Sequence, residues 1–248
     1  MRAGTSRDDI LFGELNLIQP LEGPRVSVDT ILLAAASRVK RGDRVLELGC
    51  AHGAVLFILA RKYPEAAAFE GLEIAEDLVE IARENARLNG LDGRVHVSRG
   101  DLREIRKLYA AESFDVVLMN PPYNDPGRSR VSPRSAKAVA RHGTTCSLAD
   151  VFSAARFLLK PRGRFFLVLR AARAAEALTL LVQKGLEPKR IRFVHPGPGK
   201  EASTFLLVAM KQGRGGIVVD PPLFITDESG NYTRELLSAY RVESSPCL

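Results

Sequence analysis

Short apolar runs alternating with helical stretches restrict this chain more than any other feature. Arg44–Leu48, Ala67–Ile74, Arg94–Ser98 and Phe114–Met119 read as strands. Between them, Ala54–Lys62, Ala75–Asn89 and Leu102–Ala110 read as helices. Near-continuous apolar strands recurring with helices require a parallel sheet covered on both faces. The helix over 75–89 shows the pattern well: Leu78, Val79, Ile81, Ala82, Ala86 and Leu88 give it an apolar side, and Asn89-Gly90 stops it. A helix over 26–39, entered near Ser27 or Asp29, precedes this block. After it come a helix over Ser147–Leu159, a turn at Pro161-Arg-Gly163, a strand over Arg164–Leu169 and a helix over Ala171–Lys184. Strands over Arg190–Val194 and Thr204–Met210 are joined by His195-Pro-Gly-Pro-Gly-Lys200 with no helix, so one of them runs antiparallel, and we expect it at the sheet edge.

The expected fold is therefore α/β: a doubly wound, mostly parallel, seven-stranded Rossmann-like sheet with one antiparallel edge strand. We expect a single domain over 1–248, with an N-terminal approach segment and helix over 1–43, a core over 44–211 and a C-terminal extension over 212–248. At 46% hydrophobic residues the chain can bury a core of that size. Its longest apolar runs, such as Ile31–Ala36, fall well short of the roughly 20 residues a membrane helix needs. Met1–Ile10 carries charges and no apolar stretch, so no signal peptide is expected. Cys50, Cys146 and Cys247 are odd in number and far apart, which excludes a disulfide framework and a zinc knuckle and suits the cytoplasm. With only four histidines, a metal site built on them is not expected.

The net charge of +7 is regional. Pro126 to Ala175 holds eleven basic residues against the single acid Asp150, a local +10, and the remainder of the chain is −3. Residues 123–146 are also the one long stretch without periodicity, and a loop of that length in a compact domain is usually functional or disordered. Arg128, Arg130, Arg134, Lys137, Arg141 and His142 in this loop are candidate phosphate-binding residues for RNA, although charge alone equally fits a solvated face.

Ligands of open α/β sheets sit beyond the carboxyl ends of the strands. After the first strand comes Glu47-Leu-Gly-Cys-Ala-His-Gly53, where Gly49 and Gly53 let backbone pass close to a ligand, and Cys50 and Ala51 line the turn. After the second comes Glu73, with Ile74 beside it, placed to accept from ribose hydroxyls. After the third comes Asp101, placed to accept from an adenine amino group, with Leu102 offering its backbone N–H. The turn lacks the G-x-G-x-x-G that a pyrophosphate needs, and it carries an acid that would repel one. An acid suits a sulfonium and an α-amino group, so S-adenosyl-L-methionine is the expected cofactor. His52 is expected to face solvent from this turn. Cys50, at a helix N-terminus, reads as either a reactive thiol or a small packed residue, and the latter is expected.

The fourth strand runs into Asn120-Pro-Pro-Tyr123. An exocyclic amine on adenine, or an amide nitrogen, is a poor nucleophile because its lone pair is delocalised. Accepting its two N–H bonds activates it. The Asn120 side-chain oxygen can take one, and the Pro121 carbonyl, held rigid by Pro121 and Pro122, can take the other, with Tyr123 stacked on the flat group. The bland alternative is a proline turn ending a strand.

With these residues in view, the chain resembles the class I S-adenosylmethionine-dependent methyltransferases of the N-P-P-Y type. More narrowly, it resembles the bacterial tRNA(Val) adenine-N6-methyltransferase family, which modifies the adenine beside the anticodon. The resemblance rests on Gln19, Arg25-Val-Ser-Val-Asp-Thr-Ile-Leu-Leu33, Glu47–Gly53, Asn120–Tyr123, Ala140-Arg-His142, Val194-His-Pro, Lys200-Glu-Ala202 and Gly230-Asn-Tyr-Thr233. It implies that Asp29 and its neighbours line the cofactor pocket. Two positions depart from the family pattern: Ala51 stands where the middle glycine of G-x-G-x-G is usual, and Val28 replaces a common threonine.

The implied reaction is N6-methylation of an adenine splayed from a tRNA loop. Three alternatives compete with it. A protein glutamine-N5-methyltransferase uses the same four residues on an amide, but such enzymes carry a helical domain ahead of the fold, and few residues precede the first helix here. A DNA adenine methyltransferase would need a target-recognition domain. A non-catalytic RNA-binding module with a degenerate cofactor site is disfavoured by the intact Asn120–Tyr123.

Overall fold

A computed structural model describes residues 4–121 and 146–241. Pro122, Tyr123 and the basic-loop residues Arg128, Arg130, Arg134, Lys137, Arg141 and His142 lie outside the described residues.

The chain opens with a hairpin, β1 (Thr5–Ile10) and β2 (Leu15–Pro20), followed by helix α1 (Val28–Ala36). Ser27 caps α1 in a reciprocal pair with Thr30, which satisfies two end groups of the helix. Then come β3 (Arg44–Leu48), α2 (Ala54–Lys62), β4 (Ala68–Glu73), α3 (Glu76–Leu88), β5 (Val95–Arg99), the one-turn α4 (Ile105–Leu108) and β6 (Phe114–Met119). After the loop come α5 (Leu148–Leu158), β7 (Leu159–Arg170), α6 (Ala174–Gln183), β8 (Leu186–His195) and β9 (Thr204–Lys211). The described chain ends with the two-residue strands β10 (Val218–Val219) and β11 (Leu223–Phe224) and the short helix α7 (Arg234–Ala239).

The main sheet runs β10-β8-β9-β7-β6-β3-β4-β5, with β11 also on β8. β3 is parallel to both β4 and β6. The chain winds outward from β3 through β4 to β5 and then crosses back to β6, so a crevice opens between the carboxyl ends of β3 and β6. The doubly wound, mostly parallel sheet stands as expected, with one correction of placement. The antiparallel strand is β9, and it lies between β7 and β8 instead of at the edge. Its buried run Thr204–Ala209 explains why, since a strand apolar on both faces needs a neighbour on each side. The two short strands beyond β8 bring the sheet to nine.

Alternating side chains divide the core between the two faces. Val45, Phe69, Val95, Val116, Leu118 and Val168 pack under α1, α2 and α3. Leu46, Leu48, Val117, Phe165 and Leu167 pack under α5 and α6. Glu47 falls on the Val45 side of β3, so an acid occupies a position where the fold otherwise requires an apolar residue. The hairpin rests on α3 through asparagine side chains. Asn85 accepts from the Ile18 N–H at 2.7 Å and donates to the Ile18 carbonyl at 2.9 Å, and Asn89 pairs with the backbone of Asn16 in the same way.

Candidate active site

The site is assembled from the ends of four adjacent strands. Glu47 is in register with Gly71 of β4 on one side and Leu118 of β6 on the other, so the turn after β3 and Asn120 after β6 flank one crevice. Gly71 makes close packing possible there: a Cβ on it would stand 2.6 Å from the Cys50 sulfur and 2.8 Å from Leu56 Cδ1. The backbone after β3 turns through left-handed conformations at Gly49 (φ 68°), Ala51 (φ 48°) and Gly53 (φ 89°). The N–H groups of Gly49 and Cys50 both bond the Leu72 carbonyl, at 2.8 and 3.1 Å, and Gly53 N–H bonds the Cys50 carbonyl at 2.8 Å. At Gly53 a Cβ would lie 2.6 Å from the Phe57 ring, so only glycine allows α2 to begin against this turn.

Glu47 is buried, and its Oε2 has no hydrogen-bond partner among the described residues. Burial first, and the neighbouring Glu73 carboxylate second, hold its carboxyl well above the usual range. A buried acceptor left unpaired costs about 1–3 kcal/mol, more when charged. Such a group at the mouth of a crevice is a ready partner for a ligand ammonium or cationic group.

Glu73 is buried too, but it is engaged by the protein's own backbone. Its Oε1 accepts from Ile74 N–H at 2.8 Å and Ala75 N–H at 2.9 Å, and its Oε2 accepts from Ala51 N–H at 2.9 Å. Glu73 thus ties the turn after β3 to the turn after β4, with one acceptor position of Oε2 remaining for a ligand hydroxyl. Asp101 accepts from the Arg103 N–H at 2.9 Å and also binds the Arg103 guanidinium, which holds its carboxyl below the usual range. Leu102 follows in a one-turn 3₁₀ segment and packs against the core under α5. Asn120 is half-buried at the end of β6, and Pro121 is buried. Asp29 sits in the first turn of α1, and its Oδ1 lies 3.5 Å from the Thr204 hydroxyl at the start of β9. The approach segment before it is fixed to the hairpin. Gln19 bonds Asp8 and the Val26 N–H, each at 2.8 Å, and Arg25 bonds Asp8, Ser6 and the Pro20 carbonyl.

Two readings of the turn are settled by burial. Cys50 is buried, and desolvation with the nearby Glu47 and Glu73 pushes its thiol well up, so it is the packed residue and not a reactive one. His52 is corrected: it is 3% exposed and does not face solvent. Neither ring nitrogen has a hydrogen-bond partner among the described residues, and its carbonyl accepts from Asn85 at 3.1 Å. The hairpin that sequence patterning missed comes close to it: Asn85 donates to both the His52 and the Ile18 carbonyls, and Asp8 of the hairpin and Arg25 are its charged neighbours. Burial first and the Arg25 charge second, against the opposing Asp8, bring the His52 pKa from 6.5 to about 4. The unfolded chain takes up the proton near 6.5 and the folded chain does not until about 4, so stability is full above pH 6.5 and declines as pH falls through that window. The expected loss is on the order of 3 kcal/mol. Glu47 acts in the opposite direction, because its raised carboxyl gains stability on protonation. The difference between wild type and His52→Phe isolates the histidine. Urea unfolding of the two from pH 7 to 4 should show curves that diverge below 6.5, and parallel curves would contradict the assignment.

Ala51 carries the strain that glycine would relieve. A left-handed residue with a Cβ costs about 1–2 kcal/mol, offset in part by the greater unfolded freedom of glycine. Ala51→Gly should therefore raise stability by up to about 1 kcal/mol and Tm by about 2–4 °C. A lowered Tm in a thermal melt would count against it.

Strand order, the crevice between β3 and β6, and acids after three successive strands define a methyltransferase of the doubly wound class. A methyltransferase domain family model matches residues 39–186. A tRNA1(Val) (adenine(37)-N6)-methyltransferase of Aeromonas hydrophila is 32% identical over 191 residues, 77% of each chain. One from Porphyromonas gingivalis is 27% identical over 205 residues, 80% of this chain and 79% of that one. Among solved structures, a predicted O-methyltransferase from Agrobacterium tumefaciens superposes with a TM-score of 0.72 at 22% identity, covering 88% of this chain and 97% of that one, a likeness of fold. The chain belongs to the tRNA1(Val) (adenine(37)-N6)-methyltransferase family.

Proposed function

We propose that this protein transfers a methyl group from S-adenosyl-L-methionine to the exocyclic N6 of an adenine in tRNA, the one beside the anticodon of tRNA(Val). The observation that carries the reading is the pairing, across one crevice, of an unpartnered buried Glu47 with Asn120-Pro121 at the end of the adjoining strand. When bound, the cofactor supplies an electrophilic methyl on a sulfonium.

The chain's residues do the rest. Glu47 has the free acceptor to hold the cofactor's ammonium end, and the ammonium charge would draw its carboxyl into the ionised form. Glu73 and Asp101 are proposed to receive ribose and adenine, with Gly49, Cys50, Ala51, Gly53, Ile74 and Leu102 lining the pocket and Asp29 closing it from α1. Asn120 Oδ1 and the Pro121 carbonyl accept the two N–H bonds of the target amine, which concentrates its lone pair on nitrogen. The cofactor would give up its methyl to that nitrogen and leave as the thioether, and the amine, held by Asn120 and Pro121, would release one proton to solvent. No strong base is required, because placed acceptors and proximity supply the acceleration. Pro122 is proposed to stiffen the acceptor turn, Tyr123 to stack on the base and the basic loop to hold phosphates. Among the described residues no helix is long and apolar enough to cross a membrane.

We take the chain as one unit. Leu236 and Ala239 of α7 are buried in the same cluster as α1, and Leu15 and Leu17 of the hairpin join them, which supports that reading.

The test is incubation with methyl-labelled S-adenosyl-L-methionine and total bacterial tRNA, followed by nucleoside analysis. Label in N6-methyladenosine from tRNA(Val) supports the proposal. Label in glutamine of a co-incubated protein fraction, or in no product, overturns it.

A further inference from the structure

The Gly230-Asn-Tyr-Thr233 stretch has no role in the chemistry above, yet it is built with care. Asp227 accepts from the Ser229 and Asn231 N–H groups at 2.9 and 3.0 Å, and its own N–H bonds the Asn231 carbonyl at 2.8 Å. Gly230 (φ 82°) allows the tight turn. Thr226 and Tyr232 form a backbone bridge, and Thr233 bonds the Phe224 carbonyl at 2.7 Å while capping α7. On this stiff support Tyr232 is 55% exposed. An aromatic ring kept in water on a rigid turn gains little for the fold, and it is the arrangement that nucleic-acid binders use to stack bases.

Its location fits that use. β8 is parallel to β7, and β11 is parallel to β8 with Phe224 opposite His195, so the Thr226–Thr233 turn lies beyond the same sheet edge as Asn120. Thr226 is bonded to the Pro196 carbonyl through both its N–H, at 3.0 Å, and its hydroxyl, at 2.8 Å, which fastens the turn to the loop after β8. From β6 the steps through β7, β9 and β8 to β11 place the turn about 19 Å along that edge. That span is a few nucleotides of a loop. Charges in the turn and the loop it is fastened to lean acidic: Glu201, Asp227 and Glu228 against Lys200 and Arg234, all exposed. The turn therefore has little electrostatic pull of its own, and stacking is what it offers.

We propose that Tyr232 is a second base site, a stacking platform for an unpaired nucleobase of the substrate RNA a few nucleotides from the target adenine. This rests on the RNA reading above. The experiment measures steady-state methylation of tRNA(Val) by wild type, Tyr232→Ala and Tyr232→Phe, with S-adenosylhomocysteine affinity and the salt dependence of tRNA binding alongside. Tyr232→Ala should raise the KM for tRNA about tenfold. Its kcat, its S-adenosylhomocysteine affinity and its salt slope should stay at wild-type values, and Tyr232→Phe, which keeps the ring, should restore KM. An unchanged KM in Tyr232→Ala overturns the site, as does a tRNA affinity lost equally in Tyr232→Phe, or a defect that follows S-adenosylhomocysteine affinity instead of tRNA. If wild type methylates no tRNA at all, the parent reading fails before this comparison begins.

Discussion

Glu47→Leu should make the cofactor-free protein more stable and nearly unable to hold its cofactor. The carboxylate is buried on a face of β3 where its neighbours are apolar, its Oε2 is unpaired among the described residues, and Glu73 repels it. Replacing an unsatisfied buried acid by an apolar side chain of similar volume removes a penalty of about 1–3 kcal/mol. The same change deletes a free acceptor proposed to meet the cofactor's ammonium, so affinity for S-adenosyl-L-methionine should fall by about a hundredfold. Urea unfolding reads the first effect and calorimetry the second. A variant that lost stability while keeping its affinity would show that Glu47 serves the fold and not the ligand. Opposite signs in the two measurements are what a functional residue predicts, since strain retained in the free protein is repaid on binding.

Asn120→Ala should separate chemistry from binding in the other direction. Asn120 is half-buried at the strand end. Without its oxygen, one N–H bond of the target amine goes unaccepted while the Pro121 carbonyl remains. Loss of one placed polar group of this kind lowers kcat by about two to three orders of magnitude. Cofactor affinity should stay within a few-fold, because the acids at the ends of β3, β4 and β5 are untouched. Single-turnover methyl transfer and calorimetry on the same preparation check both halves. Retained turnover would remove Asn120 from the mechanism.

Most of the sheet was legible in the sequence because parallel strands are apolar on both faces. Phe114–Met119 could hardly be anything else, and β3, β4 and β5 were found within a residue at nearly every end. The hairpin was not. Thr5-Ser-Arg-Asp-Asp-Ile10 is mostly polar, and what secures the hairpin is distant, in the amides of Asn85 and Asn89. That miss left no sign that His52, near the hairpin through Asn85 and Asp8, would be buried. β7 was expected to begin after the Pro161 turn, but it starts at Leu159, which pairs with Phe114 across a register shift. The position of β9 did carry a signal in its unbroken apolar run, one that an edge strand would not show. The candidate acids Glu47, Glu73 and Asp101 were visible from their places after successive strands. Which of them the protein uses for itself was not, because the hold of Glu73 on Ala51 and of Arg103 on Asp101 depends on how the turns close in space.

In the proposed mechanism an acceptor pair, Asn120 Oδ1 and the Pro121 carbonyl, opens onto the transferable methyl across the β3–β6 crevice. A crystal structure with S-adenosyl-L-methionine soaked in tests it directly. The cofactor's ammonium should lie on Glu47, with its methyl directed at the space in front of Asn120. A methyl sealed from Asn120, or pointed toward α2, would contradict it.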